Sequence, residues 1–251
     1  MKNSRTFALA LFFVAALAVA SFAATSKDVS YKSGDETVHA IVYTPDGEGP
    51  FPGILVIHEW WGLNDWIKEQ ASKLADQGYV TLAIDLYRGK VATTPELAHE
   101  ISRGVPEDRA KRDLHAGYEF LESEPKVRKD RVAAIGWCMG GGYALDVALQ
   151  EASLTADVIN YGHLVTNQES LKKIHAAILG NFGGQDQGIP KDDVKKFQQT
   201  LQQDGKNVDI KIYPDAGHGF ENPNNKGGYR AEDAVDAWTR TVNFLATTLK
   251  K

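Results

Sequence analysis

Four short, nearly uninterrupted apolar runs mark the chain: Ile54–Ile57, Val80–Ile84, Val132–Ile135 and Ala177–Leu179. Such runs, bounded by turns, predict strands buried on both faces of a parallel sheet. Amphipathic stretches lie between them. One opens at Asn64, a good N-cap, and puts Ile67, Ala71 and Leu74 on one face. A second starts at Pro190, a favoured first helical residue, and groups Val194, Phe197 and Leu201. The last runs from about Arg230 and stripes Val235, Trp238, Val242, Leu245 and Leu249. Val38–Tyr43 and Val208–Tyr213 predict outer strands, the latter because Val208, Ile210 and Ile212 alternate with Asp209 and Lys211. The Gly/Pro-rich piece Pro45–Pro50 is a turn between strands. Two β segments followed by repeated βα units predict a mostly parallel, doubly wound α/β sheet flanked by helices, with its chemistry at the carboxyl ends of the strands.

The N-terminus follows a different pattern. Lys2 and Arg5 precede an uncharged apolar run from Phe7 to Ala20, and Ser21-Phe22-Ala23 offers small residues where a signal peptidase reads. Residues 1–23 are therefore expected to be a secretory signal peptide, and 24–251 a single domain that is exported to the periplasm or secreted. An uncleaved anchor helix is the alternative, although the run is short for a bilayer. No stable membrane association is expected after cleavage. Cleavage removes two bases and no acid, taking the net charge from −5 to −7. An acidic chain has no electrostatic footprint for nucleic acid. With 43% hydrophobic and 24% charged residues, the composition is that of an ordinary globular protein. The single cysteine excludes an intramolecular disulfide framework and a Cys-rich zinc site, and leaves one thiol to explain.

That thiol follows a core strand directly, in Gly136-Trp137-Cys138-Met139-Gly140-Gly141-Gly142. The G-x-C-x-G spacing is a thiol version of the nucleophile elbow. A residue forced into a strained strand-to-helix turn leaves no room for a Cβ two positions before or after it. The helix N-terminus beyond favours an anionic nucleophile, and its N–H groups can hold an oxyanion. The bland alternative is an inert cysteine beside a glycine-rich packing turn. A thiol nucleophile needs a base, and the base an orienting acid. Asp186, in Gly183-Gly184-Gln185-Asp186, follows the strand at Ala177–Leu179; His218, in Gly217-His218-Gly219-Phe220, follows Val208–Tyr213. Their order after Cys138 is that of an α/β-hydrolase. Asp186 could equally be a turn aspartate capping the next helix. His163 is a rival base and Asp215 a rival orienter. His39, His58, His99, His115 and His175 are expected to be surface or strand residues. Glu59, directly after the first core strand and followed by Trp60 and Trp61, is a carboxylate that must be paired or used.

Taken together, the segments Val56–Gly62, Ala83–Tyr87, Ile135–Gly141, Gly184–Asp186 and Gly217–Phe220 resemble the dienelactone hydrolase family of α/β-hydrolases, from about Ser30 to Leu249. The resemblance implies an α/β-hydrolase fold, with about 228 residues after cleavage leaving little room for a large lid domain. It implies Cys138 as nucleophile, His218 as base, Asp186 as its acid, and Glu59 as a contact of the resting thiol that helps form the thiolate. The oxyanion hole would be the N–H groups of Met139 and Trp60. Trp61, Tyr87, Arg88, Trp137 and Phe220 are the candidate substrate contacts. The implied reaction is hydrolysis of an activated ester or enol lactone through a thioester, on a small-molecule substrate, with no metal or organic cofactor. Three departures set the substrate apart. Asn222 stands where the family places an arginine that grips a substrate carboxylate. Arg88 follows Tyr87 directly, one position early. The acidic Glu221 argues against the same anionic substrate. Export is a further difference from cytoplasmic aromatic degradation. A non-catalytic ligand-binding relative, a redox-sensing thiol and an acyltransferase remain as alternatives. The sequence carries no assembly signal, and a monomer is the expectation.

Overall fold

The computed structural model describes residues 24–251; the predicted signal peptide at 1–23 lies outside them. Eight strands form one sheet in the order β1-β2-β4-β3-β5-β6-β7-β8. They are β1 (Thr25–Ser33), β2 (Glu36–Thr44), β3 (Phe51–Ile57), β4 (Val80–Asp85), β5 (Val127–Trp137), β6 (Ala156–Asn160), β7 (Ala177–Gly183) and β8 (Val208–Tyr213). β1, β2 and β4 pair antiparallel, and every other neighbouring pair is parallel. The expected doubly wound, mostly parallel sheet is present. The chain runs outward on both sides of β3, which puts the ends of β3, β5, β7 and β8 along one rim.

Helices cover both faces. One core joins the sheet to α3 (Glu107–Ser123), α4 (Met139–Gln150) and α6 (Lys191–Gln203) through Leu114, Tyr118, Leu145, Val194 and Phe197. The other joins it to α1 (Asp65–Asp76) and α7 (Ala231–Leu249) through Ile67, Leu74, Ala237, Leu245 and Leu249. Two shorter helices, α2 (Pro95–Arg103) and α5 (Gln168–Leu171), complete the set. Asn64 caps α1 as expected, its side chain accepting from the Ile67 N–H at 3.1 Å. Pro190 sits at the N-cap of α6, one position before the helix, where its missing N–H also costs nothing.

The stripe on α7 needs correction. Ala237, Thr241, Leu245 and Leu249 are its buried residues, while Val235 is 66% exposed. At 100° per residue, Val235 lies about 200° around the helix from Ala237, nearly opposite the sheet. β1, β6, α2, α3 and α5 were not among the elements expected from the sequence. β1 is mostly polar and pairs along one edge with β2, and α3 buries Asp113 and Gly117 within its inner face. Phe197→Ala should cost about 3–5 kcal/mol, as for a buried aromatic, and Val235→Ala less than about 0.5 kcal/mol, measured by denaturant unfolding.

Candidate active site

The turn from β5 into α4 fixes everything around it. Cys138 is its pivot, at φ 56° and ψ −121°, a conformation that costs a non-glycine residue roughly 1–3 kcal/mol. The surroundings hold it there. Its N–H donates to the Asn160 carbonyl at 3.0 Å, and its carbonyl accepts from Gly141 and Gly142 at 3.0 and 3.3 Å. The glycine spacing has the expected steric cause. A Cβ on Gly136 would land on the Gly140 carbonyl, and one on Gly140 on the carbonyls of Ile57 and His58. Gly141 and Gly162 approach so closely that neither has room for a Cβ.

The loops after β7 and β8 bring the other two residues to the thiol. His218 Nε2 lies 3.0 Å from Cys138 Sγ, and His218 Nδ1 lies 2.7 Å from Asp186 Oδ2. With Nδ1 donating to the carboxylate, Nε2 faces the sulfur. Asp186 does not cap α6, whose N-cap is Pro190 with no side-chain bond, but its Oδ1 stabilises its own turn by accepting from the N–H groups of Gly188 and Ile189 at 2.8 and 3.1 Å. Burial raises the Asp186 carboxyl, but His218 and those N–H groups outweigh it and hold the group below its ordinary range. Burial pulls His218 down; its bonds to Asp186 and Cys138 push it up further, to about 10. Proton transfer from sulfur to imidazole is therefore geometrically and electrostatically available. His163 is exposed beside Gly142 and Asp215 is exposed, and among the described residues neither side chain hydrogen-bonds Cys138 or His218, whose side-chain partners are each other and Asp186.

Cys138 and His218 open into a cavity of about 630 Å³ lined also by Glu59, Trp60, Trp61 and Asn222. Trp60 stands on Trp61 and His99 with ring centroids 5.0 and 4.8 Å apart. The backbone N–H groups of Met139 and Trp60 have no acceptor among the described residues, which is what an oxyanion site requires. Tyr87 serves the framework here. Its hydroxyl donates to the Trp60 carbonyl at 3.1 Å and touches Met139 Sδ at 3.2 Å, tying the two loops together. His58, far from a surface residue, is wholly buried; its Nδ1 bonds the Glu59 carbonyl at 2.6 Å and its Nε2 accepts from the Leu86 N–H at 3.3 Å.

Glu59 is placed differently from the family expectation. Among the described residues no hydrogen bond joins it to the thiol. Oε1 accepts from the Tyr161 hydroxyl at 3.3 Å and Oε2 from Asn222 Nδ2 at 2.7 Å. Both donors escaped the sequence reading as site residues. Tyr161 follows β6 directly, so the strand-end rule could have found it. Asn222 was visible only as a missing arginine.

Of the five candidate substrate contacts only Trp61 lines the cavity; Tyr87 and three others fall outside it. Arg88 turns away to Asp113 and Glu36, at 2.7 and 2.8 Å, and its charge is spent there. Trp137 is 1% exposed, packs on Trp66 and donates to Glu221 Oε2 at 3.0 Å. Phe220 is fully buried between Tyr161 and Tyr213. Glu221 likewise points inward, so it says nothing about substrate charge. No group of three or more His, Cys, Asp or Glu among the described residues could hold a metal.

Comparisons with known proteins identify the family. The profile of the dienelactone hydrolase family matches residues 38–249. The chain belongs to the dienelactone hydrolase family. A Methylorubrum extorquens relative provisionally named carboxymethylenebutenolidase is 33% identical over 87% of this chain and 79% of its own. An Aquifex aeolicus relative of the same provisional name is 30% identical over 88% and 98%. Among solved structures, a dienelactone hydrolase-like promiscuous phosphotriesterase from metagenomic libraries superposes with TM-score 0.83 at 27% identity, covering 90% of this chain and 99% of that one. A Klebsiella pneumoniae structure provisionally named dienelactone hydrolase gives 0.80 at 27%, covering 89% and 99%. The chain is thus similar over nearly its whole described length to dienelactone hydrolase family proteins.

Glu221 gives a direct electrostatic prediction. Its Oε1 is sealed from solvent without a partner, and burial pushes the carboxyl up to about 8. The folded state therefore holds a proton that the unfolded chain releases near its ordinary value, and stability falls as pH rises from about 4.5 to 8. Glu221→Gln keeps an acceptor for Trp137 and removes the charge. The two proteins should unfold alike at pH 5, with the variant more stable by roughly 1–3 kcal/mol at pH 9 in thermal or denaturant melts.

Proposed function

We propose that this protein is an exported, cysteine-dependent hydrolase of activated esters or lactones, acting on small molecules through a thioester. Membership of a hydrolase family supports the reaction class. The observation that carries the mechanism is the unbroken chain Cys138 Sγ–His218–Asp186, with contacts of 3.0 and 2.7 Å, anchored on a strained elbow. Export rests on Lys2, Arg5 and the apolar run to Ala20.

Cys138 Sγ attacks the acyl carbon as its proton passes to His218 Nε2. The new S–C bond pushes an electron pair onto the carbonyl oxygen, which sits between the N–H groups of Met139 and Trp60. Collapse breaks the C–O bond, and His218 returns the proton to the leaving oxygen. Water then attacks the thioester, with His218 again taking the proton, and expulsion of the sulfur restores the enzyme. Asp186 keeps the imidazole in the useful tautomer throughout. A thiolate leaves readily and attacks softly, so aryl acetates and small lactones suit it better than simple alkyl esters.

Wild type should turn over a panel of aryl acetates and small lactones, and Cys138→Ala should lose about 10³-fold or more in kcat/KM. An aryl phosphotriester belongs in the panel because a similar structure carries that activity in its name. Acylated Cys138 should appear by mass spectrometry during turnover. Hydrolysis undiminished in Cys138→Ala would overturn the assignment.

A further inference from the structure

The arrangement of Glu59 is specific enough to be read further, on the basis of the function just proposed. We propose that Asn222 and Tyr161 are positioning residues that hold the Glu59 carboxyl group off the thiol, so that Cys138 is already paired with His218 before substrate arrives and the pocket selects uncharged acyl groups. Each carboxyl oxygen has its own donor, Asn222 Nδ2 at 2.7 Å and the Tyr161 hydroxyl at 3.3 Å.

Both donors are themselves immobilised. Asn222 is 3% exposed. Its Oδ1 accepts from the Asn224 N–H at 2.9 Å, its own N–H donates to the Gly219 carbonyl, and its carbonyl accepts from Asn225. Tyr161 is fully buried in a left-handed turn at φ 39°, with its N–H on the Asn181 carbonyl at 2.7 Å. Its ring packs edgewise on His218 and Phe220. Glu59 therefore cannot swing without breaking two bonds and disturbing the loop that carries the base. The thiol, lacking Glu59, has His218 at 3.0 Å.

Charge points the same way. Arg88 is neutralised elsewhere, and among the described residues the only lysine or arginine lining the cavity is the exposed Lys226. Apart from the His218 imidazole, a substrate carboxylate lodged deep in the cavity would meet Glu59 and, among the described residues, no buried lysine or arginine. The titratable groups facing Glu59 are His218 and Cys138 across the cavity, Tyr161 beyond β6, Glu221 in the loop after β8, and His58 beside it in the chain. Burial pushes Glu59 up to about 7, while the bonds from Asn222 and Tyr161 and the His218 charge pull it down. Removing either donor must therefore move its titration to higher pH.

Cys138 is the only cysteine, so alkylation reports on it alone. The ratio of its alkylation rates with iodoacetamide and iodoacetate cancels the thiolate fraction and reads the charge beside the sulfur. In wild type this ratio should rise through about pH 7, and in Glu59→Gln the rise should vanish. In Asn222→Leu and in Tyr161→Phe the midpoint should move up by at least about half a pH unit. A role confined to stability would change the absolute rates and leave the midpoint in place, and an unmoved midpoint in both variants overturns the positioning role. If Asn222→Leu does not fold, Tyr161→Phe, which keeps the ring packing, decides alone. In turnover at pH 8, an ester with an uncharged acyl group should exceed its carboxylate-bearing analogue about tenfold or more in kcat/KM. Preference for the charged ester overturns the selectivity. A shifted midpoint in a protein that hydrolyses no ester supports the positioning role and overturns the hydrolase reading.

Discussion

The backbone turn at Cys138 is the constraint on which the rest of the site depends. A left-handed residue at the end of a buried strand is held only when its neighbours over-determine it. Here they do so by crowding. Gly136 and Gly140 leave space for one another's backbone, Gly140 lies against the carbonyls that end β3, and Gly141 lies against Gly162 beyond β6. Three strand ends are thereby packed to within backbone contact. The loop after β3 then has one place to go, and it carries Trp60 to the thiol. The turn after β6 has one place to go, and it carries Tyr161 beneath His218.

Electrostatics at the rim follows from that packing. Close approach of strand ends buries carboxyl groups that a looser loop would leave in water. Each is managed differently. Asp186 meets an imidazole and two N–H groups and stays charged. Glu59 meets two neutral donors and is left near the edge of ionisation. Glu221 meets one indole N–H, and burial pushes its carboxyl up to about 8. Three carboxyl groups on one rim thus titrate differently, according to how far burial is offset by the donors and charges each one meets.

The same distinction explains what the sequence could and could not disclose. The sheet was legible because buried parallel strands must be apolar throughout, and the four runs from Ile54 to Leu179 all fall within strands. Cys138, Asp186 and His218 were legible because glycine spacing and strand-end position are properties of the backbone. Side-chain direction was not. Trp137 and Phe220 flank the motif residues by one or two positions, yet consecutive residues around these turns face opposite ways, and both ended in the core. Arg88 was drawn off by Asp113, a buried acid on a helix whose mixed inner face hid it. Asn222 showed only as an absence, since its partner lies 163 residues away in the chain.

Recognition and chemistry therefore rest on different physical footing in this fold. The contacts of His218 with Cys138 and Asp186 need those three side chains, and the backbone turns at the strand ends present them to one another. The charge preference proposed for the substrate rests instead on single side chains in the loops, such as Asn222, where one substitution reassigns a hydrogen bond. Replacing a cation by Asn222 does two things at once: it removes the partner a substrate carboxylate would need, and it supplies a neutral donor that ties down Glu59. A lysine or arginine at that place could not do both, because its charge would hold Glu59 ionised and leave an anion beside the sulfur. The neutral amide favours ionisation of this buried carboxyl group less strongly than a cation would, and so lessens its opposition to a second negative charge at the sulfur.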